Sequence, residues 1–269
     1  MIELSMERYG QALLDQTAQF AETVRRAAPD APVPTCPEWT TAQLVEHVGQ
    51  TQQWVAAIVE ERVADPSRLP TSVPELPSDP EAWASWLAEG ASRLVAACAD
   101  AGADAPVWNP AGDGRSGTRF WLRRTLCETI IHRADAAATA GVAYQLDAEL
   151  AADAITDHLA MMTSPGWAAQ RPDSAEALRG SGQTLHLHAD DEPGLGEAGE
   201  WFVERGAEGA TWQHRHGTAD VTVHGSATAL LLMLTRRRPI SAGLEDGLRV
   251  SGDPDLLTHW VANTAHQAD

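Results

Sequence analysis

The spacing of apolar residues changes partway along the chain, and that change limits what it can fold into. Up to about residue 163 the apolar positions recur at helical intervals; from Gly182 onward they alternate as in strands. The spacing predicts helices over 3–28, 41–63, 81–99 and 119–140, and a shorter fifth over 146–163. Thr40 reads as an N-cap with Gln43 as the reciprocal partner of a capping box, and Gly141 as the residue that ends the fourth helix. A Pro-rich turn through Pro37, a loop over 65–79 and a Gly/Asp/Pro loop over 102–117 separate these helices. Beyond the switch, strands are expected over 184–188, 200–204, 210–216, 220–223 and 248–250. Helices are expected over 226–235 and 254–264, the last with Asp253 as N-cap and Pro254 at its first position. The reading is a four-helix bundle over 1–165, a linker over 164–181, and a small α+β domain with a mainly antiparallel sheet over 180–269.

Composition narrows the chemistry. All 19 basic residues are arginine, so a lysine Schiff base and a phosphate-binding P-loop lysine are excluded. The net charge of −19 disfavours nucleic acid and anionic membranes. The compact basic groups are Arg236 to Arg238 and Arg123–Arg124, and neither makes a phosphate-tracking stripe. No apolar run reaches the roughly 18–20 residues of a membrane span, and the acidic start does not resemble a signal peptide. Three widely spaced cysteines, Cys36, Cys98 and Cys127, fit free thiols in a reducing cytoplasm. The expectation is a cytoplasmic protein, a monomer or small homo-oligomer, acting on a small molecule.

Glu128 and His132 lie four apart on the fourth helix and project from one face. His47 lies on an inward face of the second helix. Two imidazoles and one carboxylate with an open fourth position make the catalytic zinc arrangement. On spacing alone the commoner reading is a hydrogen-bonded core histidine beside an ordinary intrahelical pair. His186 and His188 share one strand face, as do His214 and His216. They read as exposed sheet histidines, with a second metal site as the alternative. Trp39, Trp54 and Trp121 read as bundle core, Trp54 alternatively as a wall of a pocket near His47.

The residues around these positions tip the balance. The stretch Val33-Pro34-Thr35-Cys36-Pro37-Glu38-Trp39, running on to Leu44, His47 and Gly49, resembles the N-terminal signature of the mycothiol-dependent maleylpyruvate isomerase family, approximately V-P-x-C-P-x-W-x-x-x-x-L-x-x-H-x-G. A second signature, approximately R-R-x-x-H-E-x-x-x-H-R-x-D, is similar to 123–135, with Cys127 where the family commonly has histidine. The C-terminal part is similar to the family's second domain in Thr184-Leu185-His186-Leu187-His188, in Ala219-Asp220-Val221-Thr222-Val223-His224-Gly225, in the leucine run before Arg237-Arg238-Pro239, and in Ser251-Gly252-Asp253-Pro254. The resemblance spans nearly the whole chain in order.

It implies a DinB-like four-helix bundle holding zinc or another divalent metal through His47, Glu128 and His132. It also implies mycothiol or a related low-molecular-weight thiol as cofactor, with Trp54 and Arg237 near it. In such an isomerase a metal-bound thiolate adds to a cis double bond, the single bond rotates, and elimination leaves the trans product. A dicarboxylate substrate needs cationic partners. With lysine absent, Arg237 is the best match for the family's active-site arginine, and Arg236 and Arg238 stay open. Arg133 and Asp135 read as structural pairs, and Cys127 as packing. Two alternatives remain: a thiol S-transferase acting on another electrophile, and a non-catalytic metal- or lipid-binding protein.

Overall fold

The computed structural model describes residues 4–115 and 117–264. The chain divides into two compact units, one of Leu4–Pro110 with Gly114–Tyr144, the other chiefly from Gln145 onward. The first unit is built on four long helices, α1 (Met6–Val24), α2 (Thr41–Glu60), α3 (Trp83–Ala101) and α4 (Gly117–Ala140). Each starts or stops where local chemistry directs. Ser5 caps α1 through its hydroxyl. Thr40 and Gln43 form the expected reciprocal box at α2: the Thr40 amide donates to Gln43 Oε1 at 2.9 Å, and the Gln43 amide to Thr40 Oγ1 at 3.3 Å. Gly141, at φ +66°, takes the left-handed position past α4.

The Pro-rich segment before α2 is more than a turn. Strands β1 (Pro32–Val33) and β2 (Cys36–Thr40) pair antiparallel around Pro34 and Thr35. This small ribbon packs with α2 and α4. Apolar side chains from α1, β1, α2, α3 and α4 share one core, including Phe20, Val33, Leu44, Val48, Trp86, Leu87 and Ala136. Helix α4 differs from the rest. It lacks an apolar stripe because it is enclosed on most sides, and it carries Arg123, Arg133 and Asp135 into the interior.

The second unit begins earlier than the sequence boundary near 165. Helix α5 (Ala148–Met162) is buried on nearly every face and packs against α8 (Ala227–Leu234), so it belongs with the sheet. The Trp201 indole N–H, also in this unit, donates to Thr156 Oγ1 on α5 at 2.9 Å. The segment expected as a linker forms two short helices, α6 (Pro165–Gln170) and α7 (Pro172–Ala177), each opened by a proline at its first turn. Their shortness, under two turns, leaves too little periodicity to read from sequence.

Five strands follow: β3 (Gln183–Ala189), β4 (Glu200–Gly206), β5 (Gly209–Gln213), β6 (Val221–Gly225) and β7 (Arg249–Gly252). They form one sheet in the order β5-β4-β3-β6-β7, antiparallel throughout except for the central parallel pair β3–β6. Helix α8, a short α9 (Ile240–Glu245) and α10 (Pro254–Thr264) complete the unit. The expected α+β class with a mainly antiparallel sheet is what the chain adopts. Among the described residues no helix is long and apolar enough to cross a membrane.

Gly49 shows how closely the helices approach. A Cβ placed on it would overlap the buried Trp86 ring of α3. Gly49→Ala is therefore expected to destabilise the protein by about 1–3 kcal/mol through overpacking, measured as a lowered thermal midpoint against the wild-type chain.

Candidate metal centre

Three histidine and carboxylate side chains from two helices converge in the first unit. His47 on α2 and Glu128 and His132 on α4 place their ligand atoms within 4.8 Å of one another. The i, i+4 spacing stacks Glu128 and His132 on one face of α4, with His132 Nε2 3.4 Å from Glu128 Oε2. The His47 ring meets the His132 ring edge-on at a centroid distance of 4.7 Å.

Protonation states follow from the surroundings. Burial by itself would raise the Glu128 carboxyl. The Arg124 guanidinium, which contacts it directly from the preceding turn, outweighs burial together with His132 and His47 and holds it well below the usual carboxylate range. His132 Nδ1 lies 2.8 Å from Asp135 Oδ2, and Asp135 is fully buried. Burial opposes the His132 charge, yet the Asp135 and Glu128 carboxylates outweigh it and raise the imidazole above its ordinary value; an Nδ1–H donated to Asp135 would leave Nε2 as the atom for a metal that displaces its proton. This is the arrangement by which outer carboxylates orient metal-binding imidazoles. Asp135 is itself fixed by the Thr35 hydroxyl, which donates to Oδ1 at 2.5 Å. The residues present thus fit a divalent metal: two imidazoles, one ionised carboxylate, and an oriented tautomer.

The β1–β2 ribbon supplies the wall of the centre. It brings Thr35 to Asp135 and lays Trp39 against both histidines, with centroid distances of 4.8 Å to His47 and 5.7 Å to His132. Trp39 is thus a site residue as well as a packing residue. Beside His47 a cavity of about 260 Å³ is lined by His47, Gln50, Thr51, Trp54 and Val73. Trp54 is held there by its indole N–H, which donates to Pro70 O at 3.0 Å in the Pro-rich loop, and by edge-to-face contact with Trp121.

Other expected residues have plainer surroundings. Cys127 is buried and its sulfur is outside the group of clustered ligand atoms. Arg133 is structural: its Nε donates to Gln16 Oε1 at 2.8 Å and its guanidinium lies over the Tyr144 ring. Asp135 does more than form a structural pair, because it orients His132. Its signal was the i, i+3 spacing from His132, which places both on one helix face. Arg237 lies in the second unit, just past α8, where Nη1 donates to Thr235 O at 3.0 Å. Its neighbours differ from it: Arg236 takes a left-handed φ of +59° and is exposed, while Arg238 pairs with Asp246 at 2.5 Å.

The chain thus joins a helical unit carrying a His/Glu/His cluster to a unit built on a mixed sheet. Residues 11–137 match the family model described as the mycothiol maleylpyruvate isomerase N-terminal domain, and residues 149–259 match the MDMPI C-terminal domain. The chain belongs to the mycothiol-dependent maleylpyruvate isomerase family, which is an enzyme family. Among solved structures it is similar to the crystal structure of a mycothiol-dependent maleylpyruvate isomerase and to that of a histidine-to-alanine mutant of that enzyme. Each is 16% identical, covering 92% of this chain and 93% of the other, with a TM-score of 0.54. At that identity the likeness is one of fold. A comparison with curated protein sequences finds no match.

Asp135→Asn would keep the size of the side chain while weakening the acceptor that sets the His132 tautomer. Zinc affinity, measured by competition with a chromogenic chelator, is expected to fall by about 10–100-fold with the fold retained by circular dichroism.

Proposed function

We propose that the protein is a metal-dependent, thiol-using enzyme, and that its reaction is the cis–trans isomerisation of a small unsaturated dicarboxylate such as maleylpyruvate by reversible thiol addition. The observation that carries this reading is the convergence of His47, Glu128 and His132 beside a cavity, with His132 already oriented by a buried carboxylate. Zinc suits the donor set, and mycothiol is the thiol the family name supplies. When bound, the metal would act as a Lewis acid that favours the deprotonated form of a thiol at neutral pH, where a free thiol is mostly protonated.

The chain's own residues prepare that chemistry. Arg124 keeps Glu128 ionised without occupying the imidazoles. Asp135 takes the Nδ1 side of His132, which turns Nε2 toward Glu128 and His47 as the atom that would bind the metal. Trp39 covers the imidazole faces and limits water at the ligands. Gln50, Thr51, Trp54 and Val73 offer a mixed polar and apolar wall to an organic molecule. Arg237 enters as the partner of a substrate carboxylate on the strength of the sequence resemblance, since a guanidinium fork suits bidentate carboxylate binding.

One observation favours a second reading. The described residues lining the cavity beside His47 include no cationic side chain, so an uncharged electrophile fits that wall as well as a dicarboxylate does. The second reading is a mycothiol S-transferase on such an electrophile.

Zinc-loaded protein supplied with mycothiol and maleylpyruvate is expected to release fumarylpyruvate, followed by chromatography, and His132→Ala to lose turnover together with the ion held by His47 and Glu128. A stable thiol adduct with other electrophiles, without isomerisation, would replace the isomerase by the transferase. Arg237→Ala is expected to raise KM for maleylpyruvate while leaving zinc content unchanged; an unaltered KM would remove Arg237 from the proposal.

A further inference from the structure

The second unit contains another convergence of histidines. The sequence pattern suggests exposed sheet residues, but His186 is buried, at 2% exposure, and its neighbours are gathered around one carboxylate. His186 and His188 point to the same face of β3. Glu200 opens β4 directly opposite His188. His216 comes from the segment that follows β5. His186 Nε2 contacts Glu200 Oε2, His188 Nδ1 lies 2.8 Å from Oε1, and His216 Nδ1 lies 3.1 Å from Oε1. Three imidazole nitrogens thus aim at a single carboxylate, and one ligand atom from each of the four residues falls within 4.8 Å of the others.

We propose that His186, His188, Glu200 and His216 form a second divalent-cation site, of the zinc class, in the C-terminal unit. It is separate from the centre at His47, Glu128 and His132 and independent of the reaction proposed for it. Geometry and donor chemistry carry the proposal together. A tetrahedral ion with metal–ligand bonds of 2.0–2.2 Å needs its ligand atoms about 3.4 Å apart. The His188 and His216 nitrogens, 2.8 and 3.1 Å from Glu200 Oε1, reach that value by openings of roughly 0.3–0.6 Å, and the closer His186 contact by a larger one, through rotation of side chains on a sheet face. Three imidazoles and a carboxylate form a borderline donor set that suits zinc over calcium or magnesium, which take oxygen ligands.

The electrostatics of His186 and Glu200 are consistent with that geometry. Burial pushes the His186 imidazole down, toward the neutral form. Burial opposes the Glu200 charge, yet the imidazoles of His186, His216 and His188 outweigh it and keep the carboxyl below its ordinary value. A cavity of about 540 Å³ opens beside the cluster, lined by His188, Glu200 and His216 and by the acidic residues Asp190, Asp191 and Glu192. That acidic rim raises the local concentration of cations. His214 lines the same cavity, and its buried Nε2 has no hydrogen-bond partner among the described residues. With four protein ligands the site is of the closed, structural kind. An ion there would tie β3, β4 and the segment after β5 together.

The test counts metal per chain in the full-length protein. Protein stripped by a chelator is equilibrated with buffered zinc, desalted and analysed for metal. Wild type is expected to hold two ions, His132→Ala one, and the double variant His188→Ala/His216→Ala one, with none in the triple variant. His188 and His216 are the more exposed ligands, so their removal leaves the buried core intact; circular dichroism checks this. Cobalt(II) added to His132→Ala is expected to give visible d–d absorption that disappears in the triple variant. If His132→Ala holds no zinc and gives no cobalt spectrum, the second site does not exist. If instead wild type holds a single ion that survives in His132→Ala and is lost from the double variant, the sheet site stands and the bundle centre fails.

Discussion

The hydrogen bond between His132 and buried Asp135 is the contact on which the candidate metal centre depends. A carboxylate taken out of water is costly unless every lone pair finds a partner. Asp135 meets that demand with His132 from its own helix and Thr35 from the β1–β2 ribbon. Arg133, two residues before Asp135 and on another face of α4, is paired with Gln16 of α1 and lies over the Tyr144 ring. The central helix α4 is therefore fastened to α1, to the ribbon and to the segment after it through polar contacts, while ordinary apolar packing surrounds it. Loosening any of these contacts would leave a buried charge uncompensated and would also turn an imidazole whose direction matters.

The two histidine–carboxylate groups are assembled by different backbone geometries. In the helical unit the i, i+4 repeat stacks Glu128 and His132, and a single residue from a neighbouring helix, His47, completes the set. In the sheet unit the i, i+2 repeat places His186 and His188 on one face, and strand pairing supplies Glu200 from across the ladder. The helical group lies beside a cavity with three donors, which suits exchange of a fourth ligand. The sheet group has four donors, which suits retention.

Family membership and fold establish the scaffold, and a scaffold does not choose an electrophile. That choice depends on what lines the cavity and on where positive charge is available. Because every basic residue is arginine, recognition of a carboxylate in this protein relies on planar, permanently charged groups or on metal. Amine chemistry has no residue to perform it. The described lining around His47 carries no cationic side chain and Arg124 is paired with Glu128, so on the proposed reading a substrate carboxylate would be met by a different arginine.

The periodicity of apolar residues determined the helices and strands, because burying one face of an element needs only local spacing. The Thr40–Gln43 box and the Glu128–His132 pair were legible for the same reason: each lies within one helical turn. Helix α4 was read over 119–140 as well, although an enclosed helix has no single apolar stripe. Tertiary structure alone decided the rest. Trp39 and Thr35 reach the centre because a two-stranded ribbon, too short to show alternation, folds onto α4. Asp135 reads from sequence as part of a structural pair, and its burial gives the hydrogen bond to His132 its weight. Helix α5 joined the sheet unit through its contacts with α8, which no spacing in its own sequence encodes. His216 meets His186 and Glu200 only through strand pairing between residues far apart in sequence. Local periods record which side of an element is buried, whereas partners across elements depend on register and packing, which belong to the chain as a whole.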